Sequence, residues 1–299
     1  MTEPLVRFVR LLWCALRHFF EDHGVNHAAA VAYFSLLSLP PFFLLAGRAF
    51  TQVLSAAGST GGTSGTDALL AAVATFLPPE IAPSLRILGR SLHQGGALVA
   101  FAVPVLFWVA SNAFSSLELA VNVAFGTTPQ RRFWLSRLKA FGGLSGGVLL
   151  LSGTVVAGHA SSWLDGYYVA TGAPPWLSPG AHIVSAAALL VVSFAVFTLF
   201  YKWLPSGKVR WSAAARAAAV AVVLWEGVRH IFGSLLAGSP AFGLFSGALA
   251  GMVAVLGWVY VAVAITIYGA EVAALLNGGR TCPANASRDP GGDLQATNS

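Results

Sequence analysis

The sequence predicts an all-α, polytopic membrane protein: a six-transmembrane-helix bundle, with an N-terminal interfacial helix and short helices on its outer face. Three observations predict this. The 299-residue chain is 56% hydrophobic and only 9% charged, with a mean hydropathy of +0.72. Six segments are long and apolar enough to cross a bilayer. The basic residues between them alternate between rich and poor loops. A soluble domain carries about 25% charged residues, so most of this chain's surface is expected to meet lipid.

The first element is amphipathic. Val6, Val9, Trp13, Leu16 and Phe20 recur at helical spacing, and Arg7, Arg10, Cys14, Arg17 and Glu21 form the opposite stripe. Arginines interrupt every apolar run, so no signal-peptide core is expected. The pattern suits a helix in the membrane interface, or one packed on the end of the bundle, or both. The expected spans follow at 28–50, 96–125, 140–160, 181–201, 213–236 and 244–277. Pro40, Pro41 and Pro104 fall inside the first two and are expected to break them, because proline lacks the backbone donor and clashes with the preceding turn. The chain thus divides into an interfacial helix (1–24), a transmembrane domain (25–279) and a polar, disordered tail (280–299).

Six spans place only Arg48, Arg86, Arg90 and Arg229 on one side, leaving thirteen of the 17 Lys and Arg on the other. Under the positive-inside rule both termini are then cytoplasmic. The net charge of +6 belongs to these loops facing an anionic leaflet, not to nucleic-acid binding. Outside, residues 51–95 form the longest loop, Gly/Ser/Thr-rich at first and then helical in pattern around Pro78 and Pro79. Cys14 and Cys282 both fall in segments assigned to the cytoplasm, so neither a disulfide nor a metal site is expected. Glycines four apart (Gly142 and Gly146, Gly143 and Gly147, then Gly243, Gly247 and Gly251) mark close helix crossings.

Four segments carry a resemblance. They are Asn26 to Pro41, Leu106 to Asn112 with Leu117, Ala120 and Asn122, Tyr201-Lys-Trp-Leu-Pro205 with Val209, and Phe245-Ser-Gly247 with Trp258, Tyr260 and Gly269-Ala-Glu271. In this order and spacing they resemble the YihY/BrkB family of bacterial inner-membrane proteins. Phe245 stands where the family pattern has a tyrosine. The resemblance implies six spans, an interfacial first helix and residence in the cytoplasmic membrane. It implies no settled activity: its members have carried ribonuclease and serum-resistance labels and suggestions of lipid or ion transport.

Charged groups inside spans are the leads to function, since burial in hydrocarbon costs about 2.5–3.5 kcal/mol each on insertion scales. Glu118, Glu226, Arg229 and Glu271 qualify. Glu226 and Arg229, three apart on one helix, form either a local ion pair or a binding pair lining a cavity. Glu118 and Glu271, with Asn112 and Asn122, form either a clamp between the second and last spans or a polar pocket open to the cytoplasm. Glu271 is expected to face the protein interior beside the second span and to accept a hydrogen bond from Asn122. His23 and His27 share helical spacing but lack further ligands. Soluble-loop carboxylates do not cluster as a nuclease requires, and no P-loop is present. The chain is therefore expected to be no enzyme and to need no cofactor. The two readings are a transporter or flippase for a lipid or a small charged solute or ion, and a non-transporting envelope protein that binds partners. Oligomeric state is not written in the sequence.

Overall fold

A computed structural model describes residues 2–56, 98–127, 178–238, 248–280 and 282. Six helices cover almost all of them: α1 (Thr2–Glu21), α2 (Gly24–Ala56), α3 (Leu98–Ala124), α4 (Ser178–Trp203), α5 (Trp211–Gly238) and α6 (Ala248–Asn277). The expected span at 140–160, the outer loop beyond residue 56, nearly all of the tail and the paired glycines at 142–147 lie outside the described residues.

Three stretches are long and apolar enough to cross a membrane: Phe101–Ala124, Trp211–Phe232 and Met252–Asn277. Their outward faces are apolar, with Phe101 and Val223 each 72% exposed. Water would penalise such surface, whereas lipid does not. The two proline sites correct an expectation. Helix α2 continues through Pro40 and Pro41, and α3 through Pro104. Each proline frees only the carbonyl four residues earlier. In a long apolar helix the remaining ladder and neighbouring helices hold the line.

Helix α6 is the hub and touches each of the other five helices. Small residues make this possible. Ala213, Ala214, Ala217, Ala218 and Ala221 of α5 are buried with Ala270, Ala273 and Ala274 of α6. Tyr201 of α4 inserts beside them and donates to the Thr266 carbonyl at 3.1 Å. The ring occupies the space above Gly269, where a Cβ would stand 2.7 Å from Tyr201 Cζ and closer still to the hydroxyl. A side chain at that position would therefore force the Tyr201 ring to shift.

Helix α1 lies along α6, pinned by the Tyr268 hydroxyl donating to the Leu12 carbonyl at 3.0 Å. The turn into α2 is sharp: His23 takes φ 55°, and a Cβ at Gly24 would meet the Phe19 carbonyl oxygen at 2.7 Å. Beyond α6, Gly278 at φ 81° reverses the chain. Arg280 and Cys282, placed by the sequence in a disordered tail, return onto α1. Here the structure also overturns the expectation of two free thiols. Cys14 and Cys282 form a disulfide with Cα atoms 5.8 Å apart, 268 residues apart in sequence. Neither cysteine carries a local spacing signal, because the pairing is created by α6 delivering the chain end to α1.

Candidate functional site

The polar groups gather where α1, α3 and the end of α6 converge. Glu271, one turn and a half before the end of α6, is fully buried. The reversal at Gly278 brings Arg280 over it. The Arg280 Nη2 donates to the Val123 carbonyl at 2.8 Å. Its Nη1 donates to Asp22 Oδ2, in the turn between α1 and α2, and lies 3.6 Å from Glu271 Oε2. One guanidinium thus joins α3, the α1–α2 turn and α6. Neither Glu271 oxygen has a hydrogen-bond partner among the described residues. Its nearest opposite charge is the Arg280 guanidinium.

Asn122 is fully buried nearby, but it does not serve Glu271 as expected. Its Nδ2 donates to the Glu118 carbonyl one turn back at 2.8 Å. Its Oδ1 accepts from the Ser206 backbone N–H at 2.9 Å and from the Thr127 hydroxyl at 3.0 Å. Asn122 is therefore a cap that ties the end of α3 to the loop between α4 and α5. Asn277 does the same from α6, accepting from the Arg210 N–H at 3.0 Å and donating to the Lys208 carbonyl at 3.1 Å. Side-chain amides suit this work because they offer donor and acceptor together.

Among the other sequence candidates, Glu118 is buried on α3. Asn112 bonds its own helix, Nδ2 to the Trp108 carbonyl at 2.8 Å. Glu226 and Arg229 pair locally on α5 at 3.4 Å. His23 and His27 sit at the α1–α2 turn, and no group of three metal-binding side chains occurs among the described residues. Sequence reasoning missed Asp22, Arg280 and Asn277. The one signal for Arg280 was the Gly278-Gly279 pair ahead of it, a helix stop that can return the chain.

A cavity of about 260 Å³ opens beside this cluster, lined by Arg7, Arg10, Leu11, Leu275, Arg280 and Cys282. It lies between α1 and the returning chain end.

Long apolar helices closing over a buried carboxylate and guanidinium define an integral membrane protein. The chain belongs to the virulence factor BrkB family, whose profile matches residues 15–290. It is 27% identical over 265 residues to a UPF0761 membrane protein of Ralstonia nicotianae, covering 88% of this chain and 57% of that protein. It is 29% identical over 262 residues to a UPF0761 membrane protein of Azotobacter vinelandii, covering 88% and 62%. A ribonuclease-like protein of Bacillus subtilis, YfkH, is 25% identical over 278 residues, covering 87% and 92%. The chain spans little more than half the length of several curated relatives it matches. No solved structure matches it.

Proposed function

We propose that the chain is a carrier or flippase that moves a lipid or a small charged solute or ion. In this reading it crosses a bacterial cytoplasmic membrane six times, with both termini inside. The supporting observation is Glu271: an acid at zero exposure whose oxygens accept no hydrogen bond among the described residues. An acid inside a membrane protein is costly and usually marks an ion or proton path. Purified protein in liposomes, assayed for ion flux and for lipid scrambling, tests this. Wild type is expected to exceed empty vesicles in one assay, and Glu271→Gln to lose that activity. Equal rates for wild-type and empty vesicles in both assays end the proposal.

A second reading, a non-transporting envelope protein that binds partners, has its own support. Asn122 spends its amide and carbonyl inside the chain, and Glu226 meets Arg229. Polar groups that satisfy one another build a clamp and leave no path. Crosslinking through the 51–95 loop that recovers a defined partner, together with inert liposomes, would favour it. No enzymatic role is proposed, since the polar cluster offers a carboxylate–guanidinium lock and no nucleophile with its base.

A further inference from the structure

One guanidinium faces two acids. Arg280 Nη1 donates to Asp22 Oδ2 and stands 3.6 Å from Glu271 Oε2, while Nη2 is spent on the Val123 carbonyl. The contact with Asp22 is a hydrogen bond, whereas 3.6 Å to Glu271 is an ion contact without one. With both acids ionised, the cluster would carry one negative charge in excess. Glu271 is the member least able to hold it. Its side chain is 1% exposed, and neither of its oxygens accepts a hydrogen bond among the described residues. A buried carboxylate takes up a proton when no cation is left to balance it. Around the cluster, α1 brings the buried His18, the α1–α2 turn His23, α2 His27 and α3 the buried Glu118. Among the described residues, the groups that act on Glu271 by charge are Arg280 and Asp22. One cation and one further acid are thus its electrostatic surroundings.

We propose that Asp22 and Glu271 together bind one proton, so that two acids, one proton and the Arg280 guanidinium form a neutral unit where α1, α3 and α6 converge. Two carboxyl groups held by one cation titrate as a pair, and the proton belongs to the pair and not to either residue. The two acids differ in access. Asp22, with 22% of its side chain exposed, opens the site to water, and Glu271 closes it from within. The chain positions that build the site are 22, 271 and 280, which α1, α6 and the reversal at Gly278 bring together. The inference deepens the reading of Glu271 given above by naming the proton as its ligand. It does not require that anything be transported, and its test reads a bound proton and not a flux.

Infrared spectroscopy of the detergent-purified full chain at neutral pH tests it through the carbonyl stretch of an un-ionised carboxylic acid, which moves on exchange into heavy water. Wild type should show this band. Glu271→Gln and Asp22→Asn should each lose it, because either change leaves one acid facing one guanidinium, and that acid then ionises. Glu118→Gln, which removes the buried acid of α3, should keep it. Thermal midpoints check that each variant folds, and the partly exposed Asp22 keeps the test readable where Glu271→Gln fails to fold. A wild type without the band, or a band that survives Glu271→Gln, overturns the proposal. A band lost in Glu271→Gln but kept in Asp22→Asn would mean that burial of a single acid holds the proton, and it overturns the shared site. The band in a protein that is inert in liposomes supports the proton site and ends the carrier reading. Flux without the band does the reverse.

Discussion

The guanidinium of Arg280, carried by the chain beyond the last helix, closes over the buried carboxylate of Glu271, Nη1 standing 3.6 Å from Oε2. The same nitrogen donates to Asp22, so one guanidinium faces two acids from distant parts of the sequence. Arg280→Gln leaves Glu271 buried without its counter-charge. Breaking such a pair costs about 3–5 kcal/mol. Thermal unfolding in detergent should show this loss, and Glu271→Gln added to Arg280→Gln should recover part of it. Additive losses in the double variant would mean that the two groups are not coupled.

Gly269 and Tyr201 give a second test. Gly269→Ala drives a methyl into the Tyr201 ring, which is held by its bond to Thr266. Overpacking of this kind costs about 1–3 kcal/mol. Tyr201→Leu in the Gly269→Ala background should restore part of the melting temperature, whereas Tyr201→Leu alone should lower it. Failure of the second change to help would place the strain elsewhere.

The disulfide predicts a redox-dependent stability. Cys14 and Cys282 staple the first helix to the chain end that carries Arg280. Disulfides typically stabilise by about 2–4 kcal/mol. Reduction, or Cys14→Ser, should lower the thermal midpoint and raise hydrogen exchange at residues 278–282. Alkylation of both thiols in unfolded, non-reduced protein would show that the bond is absent.

His27, at the foot of α2, has its proton affinity pushed below the ordinary 6.5, first by burial and then by His23, with Asp22 opposing. The unfolded chain then binds a proton that the folded chain refuses. The stability contribution is present above about pH 6.5 and is lost as pH falls below it. His27→Gln should flatten the decline of thermal midpoint between about pH 6.5 and pH 5. An unchanged slope would assign the decline to another group.

Composition and periodicity determined the class of this protein. An apolar excess of this size leaves lipid as the surrounding medium, and a hydrophobic run fixes a helix because every backbone group must be satisfied within it. The resemblance carried in Tyr201-Lys-Trp-Leu-Pro205 and Gly269-Ala-Glu271 reached the family. Glu271 could be read as inward-facing for a local reason, the cost of an acid in hydrocarbon.

Its partner could not be read, because partnership is decided by how helices cross and where the chain turns. The sequence pointed to Asn122, on a neighbouring span. The structure spends that amide on the Glu118 carbonyl and on the loop between α4 and α5, and supplies Arg280 from a segment that looked disordered. The same packing of α6 against α1 set Cys14 beside Cys282 across 268 residues. Proline misled for the opposite reason. A rule about one residue's missing donor was overruled by the many bonds of a long helix on either side of it. Local chemistry dictates which groups must be buried or paired, and tertiary contact alone chooses the partner.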